Sequence, residues 1–273
     1  MRNIVLLFIS TLFLSITASA QEDSITQQEI IIKKDTIFSK GNIHIAISPK
    51  ITNWHKRKSN TYSKNITTKR WIIDPGFSNY ADNTNYNAAQ ASNLVGIGVD
   101  KNRMEINDRK LTNVNIWFFM KRINLIQHIV NLKYGAGLEL NNYRFKDAGI
   151  SFQKNPTKIL YQPLSEVKKA KLAVDYFTVP VLLNFNFKSK SKKEFGLSGG
   201  VSVGYLYNAR SKSKSMGGVQ KTKDDFDLNR WKLSYIGEVA LGRTSIYGSY
   251  AFRSMWANEL KMTPFTIGIR LKH

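Results

Sequence analysis

Residues 195–209 read FGLSGGVSVGYLYNA. One parity carries Phe195, Leu197, Gly199, Val201, Val203, Tyr205, Tyr207 and Ala209; the other carries Gly196, Ser198, Gly200, Ser202, Gly204, Leu206 and Asn208. Side chains on a strand alternate between faces, so one face here is apolar and ends in aromatics, while the other is small and polar. A soluble sandwich would turn the apolar face toward a second sheet. The same pattern recurs along the chain in segments long enough to cross a bilayer, which points to a transmembrane β-barrel with lipid outside and polar groups within.

The neighbouring segments repeat the code. Before it, 171–187 sets Phe177, Val179, Val181, Leu183, Phe185 and Phe187 against Tyr176, Thr178, Asn184 and Asn186. After it, 230–242 places Trp231, Leu233, Tyr235, Val239 and Leu241 outward and Arg230, Lys232, Ser234, Glu238 and Ala240 inward. Further strands are predicted at 41–53 (Ile43, Ile45, Ile47, Ile51), 114–123, 128–143, 244–256 and 263–273. The class is therefore all-β: an antiparallel up-and-down barrel of eight strands.

Two short apolar pieces, Arg70–Ile73 and Asn93–Asp100, fall below the roughly 9–11 residues that a membrane strand needs. They are assigned to a folded surface loop covering 54–112, where Asp74-Pro75-Gly76 reads as a turn. Were both to cross, the barrel would have ten strands. Long connections (54–112, 146–169, 210–227) alternate with short ones (near 124, 188–193, 242–244), and 257–262 is intermediate. That sorting is the habit of bacterial outer-membrane barrels and places both termini in the periplasm.

The N-terminus agrees. Met1-Arg2-Asn3 is a short basic start, 4–16 is apolar, and Ala18-Ser19-Ala20 fits signal-peptide cleavage after Ala20. Residues 21–40 then form a polar periplasmic tail, and 41–273 the barrel. The expected compartment is the outer membrane of a Gram-negative cell. The chain has 41 Lys+Arg against 19 Asp+Glu, a formal net charge of +22, and no Cys. The missing Cys excludes disulfides, thiolate nucleophiles and thiolate metal sites. The charge calls for anionic partners, and export argues against nucleic acid.

Inward parity brings Lys133, Glu139, Arg230, Lys232, Glu238, Arg270 and Lys272 into one interior. An eight-stranded barrel is just wide enough for side chains to fill. Unpaired buried charge is costly, so Glu139 and Glu238 should pair with Arg230, Arg270 or Lys133 in a structural plug. The other reading is a narrow anion-selective pore. Basic positions Lys56, Arg57, Lys58, Lys168, Lys169, Lys212 and Lys214 would ring the outer face at the height of lipopolysaccharide phosphates, or would simply be solvated. His44, His55, His128 and His273 match no metal spacing, and no cofactor is implied. The local signatures of lipid-modifying barrel enzymes are missing, which leaves catalysis a third reading.

Asp175-Tyr176-Phe177-Thr178-Val179-Pro180-Val181-Leu182-Leu183, the Gly-rich 199–204 strand and Tyr134-Gly135-Ala136-Gly137 resemble the porin-like, PorT-type outer-membrane β-barrel family. The resemblance implies a non-enzymatic envelope component and, for that branch, association with a secretion system or another envelope complex. Thr266, Gly268 and Leu271 are similar to the C-terminal signal read by barrel-assembly machinery, with His273 where an aromatic residue is usual.

Overall fold

Residues that alternate apolar and polar side chains can satisfy lipid on one face and a polar interior on the other only as strands in a closed sheet. The computed structural model describes residues 65–107, 111–154, 156–161, 169–188, 194–215 and 218–271. The chain separates into two units, 1–59 and 60–273, and every described residue belongs to the second. The signal peptide, the tail and the 41–53 strand therefore lie outside the described residues.

The strands are β1 (Ile66–Asp82), β2 (Asn113–Ile126), β3 (Val130–Arg144), β4 (Ile150–Gln153), β5 (Lys158–Tyr161), β6 (Lys169–Lys188), β7 (Glu194–Ser215), β8 (Gly218–Lys223), β9 (Trp231–Leu241), β10 (Thr244–Ala251) and β11 (Met262–Leu271), with one short helix, α1 (Tyr86–Ala91). The large sheet runs β6-β3-β2-β1-β11-β10-β9-β7-β8, and β6 also pairs with β7. That last pairing closes eight strands into a ring and leaves β8 as an extension of β7 outside it. β4 and β5 form a separate hairpin. All the ladders are antiparallel.

The eight-strand count stands, but its first member differs from the expected one. β1 contains Arg70–Ile73, expected in a loop, and Asp74-Pro75-Gly76 is strand rather than the expected turn. Two local features hide this strand. Trp71 has φ 53°, an irregularity that breaks the alternation. Pairing with β11 runs from Asp82 to Gly76 and stops at Pro75, which has no N–H to donate. The turn expected near Asn124 lies at Gln127–His128, both in the left-handed region that suits a tight hairpin; the Asn124 carboxamide oxygen accepts the His128 N–H at 2.7 Å.

Antiparallel order puts the connections after β1, β3, β7 and β10 at one end and the tight turns after β2, β6 and β9 at the other. In the middle of the wall the faces follow the expected code: Leu197 is 47% exposed on the outside and Ser198 only 2% on the inside.

Toward the long-loop end the code inverts. The β6–β7 register slips at Asp175/Tyr176, leaving Tyr207 as an extra residue. Beyond the bulge Ala209, expected on the apolar outer face, is buried inside, and Arg210 is outside. β3 inverts without a bulge: Glu139 and Asn141 point inward, then Tyr143, while Leu138 and Leu140 give way outside to Asn142 and Arg144. Inside this upper section Tyr80, Tyr143, Leu172, Tyr176 and Met262 pack with the loop residues Met104, Ile106, Phe152, Phe226, Trp256 and Leu260 in one apolar core. Above the bulge, then, the wall turns apolar side chains inward and polar ones outward.

Gly200 supports the closeness of this wall. A Cβ there would collide with the Val181 carbonyl oxygen and come within 2.7 Å of the Leu182 Cα, whereas one at Gly199 would meet nothing within 4 Å. Gly200→Ala should therefore destabilise the folded barrel by about 1–3 kcal/mol through overpacking, with Gly199→Ala close to neutral. Urea titration of the heat-modifiable gel band checks the pair; equal midpoints for the two variants would contradict this packing.

Candidate functional site

The barrel waist is filled by charge. Arg270 on β11 forks onto Asp74 of β1, with Nε 3.0 Å from Oδ1 and Nη2 2.5 Å from Oδ2. Its Nη1 reaches Glu238 of β9 at 3.0 Å, and the same Oε2 accepts from Lys133 Nζ of β3 at 2.7 Å. Trp117 Nε1 donates to Asp74 Oδ2 at 2.6 Å. Across the lumen Lys232 pairs with Glu139, which also accepts from Asn141 Nδ2 at 3.2 Å and Thr178 Oγ1 at 3.4 Å. Asn113 links this half to Tyr247: its Nδ2 donates to Asn141 Oδ1 at 2.9 Å, and its Oδ1 accepts from the Tyr247 hydroxyl at 3.0 Å.

Of the interior residues expected from sequence, Lys133, Glu139, Lys232, Glu238 and Arg270 are brought together, and Glu238 takes two of its three anticipated partners. Arg230 is a correction. It is exposed at the long-loop end, 3.9 Å from Asp225, because β9 begins only at Trp231. Lys272 lies outside the described residues. Asp74 was missed, since a Pro-Gly pair after an Asp reads as a turn; it is wholly buried. The exchange of Arg230 for Asp74 changes the chemistry. Sequence counting gave an excess of cations, whereas the waist joins Lys133, Lys232 and Arg270 to Asp74, Glu139 and Glu238 in ion pairs. Within this lattice three cations are matched by three carboxylates. Glu139 and Glu238, the carboxylates a catalytic base would need, are each held by cations.

Among the described residues no group of three or more His, Cys, Asp or Glu could hold a metal. His128 is in the β2–β3 turn, and His44, His55 and His273 lie outside the described residues. Of the basic positions, Lys169, Lys212 and Lys214 are on the outer face of the upper β6–β7 wall; Lys56, Arg57, Lys58 and Lys168 lie outside the described residues. In the last strand the Thr266 hydroxyl is 2.9 Å from that of Ser78. Gly268 lies under Tyr247, whose hydroxyl a Cβ would approach to 2.5 Å, and Leu271 is exposed.

At the long-loop end a shallow cleft is lined by Asp100, Asn102, Arg103, Lys146 and Asp147. Its charges are engaged: Arg103 Nη1 lies 2.9 Å from Asp147 and its guanidinium 3.6 Å from the Tyr161 ring centre, and Lys146 pairs with Glu105 at 2.6 Å.

Comparison with known proteins gives a family match over residues 83–256, to the outer membrane protein beta-barrel domain. No curated protein matches the sequence. Among solved structures the chain is similar to Ail, the attachment invasion locus protein of Yersinia pestis, at 9% identity and a TM-score of 0.31, covering 75% of this chain and 97% of that one.

Removing one partner of a buried pair strands the other charge. Asp74→Ala should cost about 3–5 kcal/mol, and adding Arg270→Met should recover much of that loss. Urea midpoints followed by tryptophan fluorescence check both. A double variant no more stable than the single one would show that Arg270 is not the group left stranded.

Proposed function

The chain belongs to the outer membrane protein beta-barrel domain family, and from that premise we propose that it is a sealed, non-enzymatic barrel acting as a structural, binding or accessory component of the outer membrane. The observation that carries this is the waist itself, where three cations and three carboxylates join opposite walls of the ring. The apolar core beneath the long loops gives a second closure. A narrow anion-selective pore would need surplus positive charge along an open path, and a lipid-modifying enzyme would need a carboxylate free to act as a base. Neither is favoured by these pairings.

In this reading the long-loop end faces the cell exterior and the tight turns face the periplasm, after removal of the first 20 residues. The exterior end presents the basic surface to lipopolysaccharide or a partner protein. Thr266, Gly268 and Leu271 serve insertion by the assembly machinery. Association with a secretion or other envelope complex, as the PorT-type resemblance implies, is the accessory role to test by pull-down from native membranes.

Two measurements test the core of the proposal. Planar bilayers containing the purified chain should show no ion-selective conductance; steady anion current would overturn the sealed reading. The protein has no native Cys, so a single Ile97→Cys is a clean reporter at a position 94% exposed. On intact cells it should react with a membrane-impermeant maleimide while Arg243→Cys in the β9–β10 turn does not. The reverse pattern would invert the orientation.

A further inference from the structure

The outer face of the upper wall carries an ordered array of cations. Arg144 of β3 is in register with Lys171 of β6, Lys171 with Lys212 of β7, and Lys212 with Lys221 of β8. One step toward the membrane-facing belt, Arg210 is in register with Lys223. Residues directly opposite in antiparallel strands share a face, so these six side chains stand on one surface. The other face is committed: Ala170, Leu172, Val174 and Ala209 pack into the apolar core. The cations must therefore point away from the barrel axis.

Like charges set opposite each other weaken a sheet. Among the described residues the carboxylate paired with this group is Asp175, 3.8 Å from Arg210. Lys171 donates to Asn142 Oδ1 at 2.8 Å. Partial burial, then Arg144, Lys212 and Arg210, lower the Lys171 pKa from its ordinary value, against a smaller upward pull from Asp175. The row is thus short of counter-charge. Lysines on an edge strand such as β8 discourage sheet-to-sheet pairing, but that role does not call for Arg144 and Lys171 on inner strands.

Position narrows the partner. Just below the array the outward side chains are Phe177, Tyr205, Tyr207 and Trp231, and the Tyr205 and Trp231 rings meet edge to face at 4.9 Å. Such aromatics mark the interface between hydrocarbon and headgroups. A face directed sideways at headgroup height meets lipid, whereas a soluble partner would approach from the loop tips. With strands about 4.8 Å apart, four cations in a row span roughly 14 Å, a reach suited to phosphates at the two ends of a disaccharide headgroup.

We infer that the Arg144–Lys171–Lys212–Lys221 ladder, with Arg210 and Lys223, is a binding site for the phosphates of a phosphorylated disaccharide lipid of the lipid A type in the outer leaflet. This rests on the outward orientation of the long-loop end proposed above and names the groups that meet the lipid. The site needs no metal and performs no chemistry; it holds a lipid against the wall and neutralises the row.

Native mass spectrometry of the full chain in detergent tests it with two probes, diphosphoryl lipid A and fully dephosphorylated lipid A. The wild type should retain the diphosphoryl form about tenfold or more tightly, with a preference that weakens as salt rises. K171Q/K212Q should lose the preference while keeping a heat-modifiable band, and K101Q/K261Q, which removes the same charge elsewhere, should keep it. Equal retention of both probes, an equal loss in the K101Q/K261Q control, or saturation by millimolar inorganic phosphate in place of the lipid would each overturn the site. Maleimide labelling of Ile97→Cys on intact cells separates that failure from a failure of orientation.

Discussion

Hydrocarbon supplies no water to the edge of a sheet, so every backbone N–H and C=O at membrane depth must find its partner within the sheet. Here the requirement falls on the seam where β1 meets β11. Backbone register between them covers Gly76 to Asp82 and then ends at a proline. Arg270 and Asp74 take over at that point, bridging the two strands by side chains just where the ladder stops. The seam and the waist lattice are therefore one structure. Arg270 also grips Glu238, which draws in Lys133, so closure of the ring is tied to the opposite wall.

That coupling explains why the interior is ionic at all. A small barrel could be filled with apolar side chains, and buried ion pairs are not in general a source of stability. Their value here is geometric: each charge has one set of partners, spread over β1, β3, β9 and β11. A slip of one residue in any of these strands would send its charged group into lipid. The lattice thus specifies register across the lumen.

The second organising feature is an exchange of the apolar and polar faces along a continuous wall. β6 and β7 are 20 and 22 residues long, about twice what a bilayer needs. Below the bulge at Tyr207 the outward side chains are mostly apolar and the inward ones polar; above it the outward ones are mostly charged or polar and the inward ones form an apolar core. The inversion lines the inside of the long-loop end with an apolar core and, by the same step, puts Arg210, Lys212 and Lys214 on the outer face.

Period-two patterning by itself settled the class and the side of most wall residues, because lipid on one face and a narrow interior on the other leave each position only two choices. Its count of eight took 41–53, outside the described residues, where the ring has β1. It also named five of the six charges in the waist. It could not find β1, whose alternation is interrupted at Trp71 and whose Asp-Pro-Gly resembles a turn, and with it went Asp74. It misplaced Ala209, because one extra residue reverses parity for everything beyond it. Which cations meet which carboxylates, and whether they balance, was decided only when strands distant in sequence were laid side by side: alternation assigns a residue to a face, but register and bulges set its neighbours.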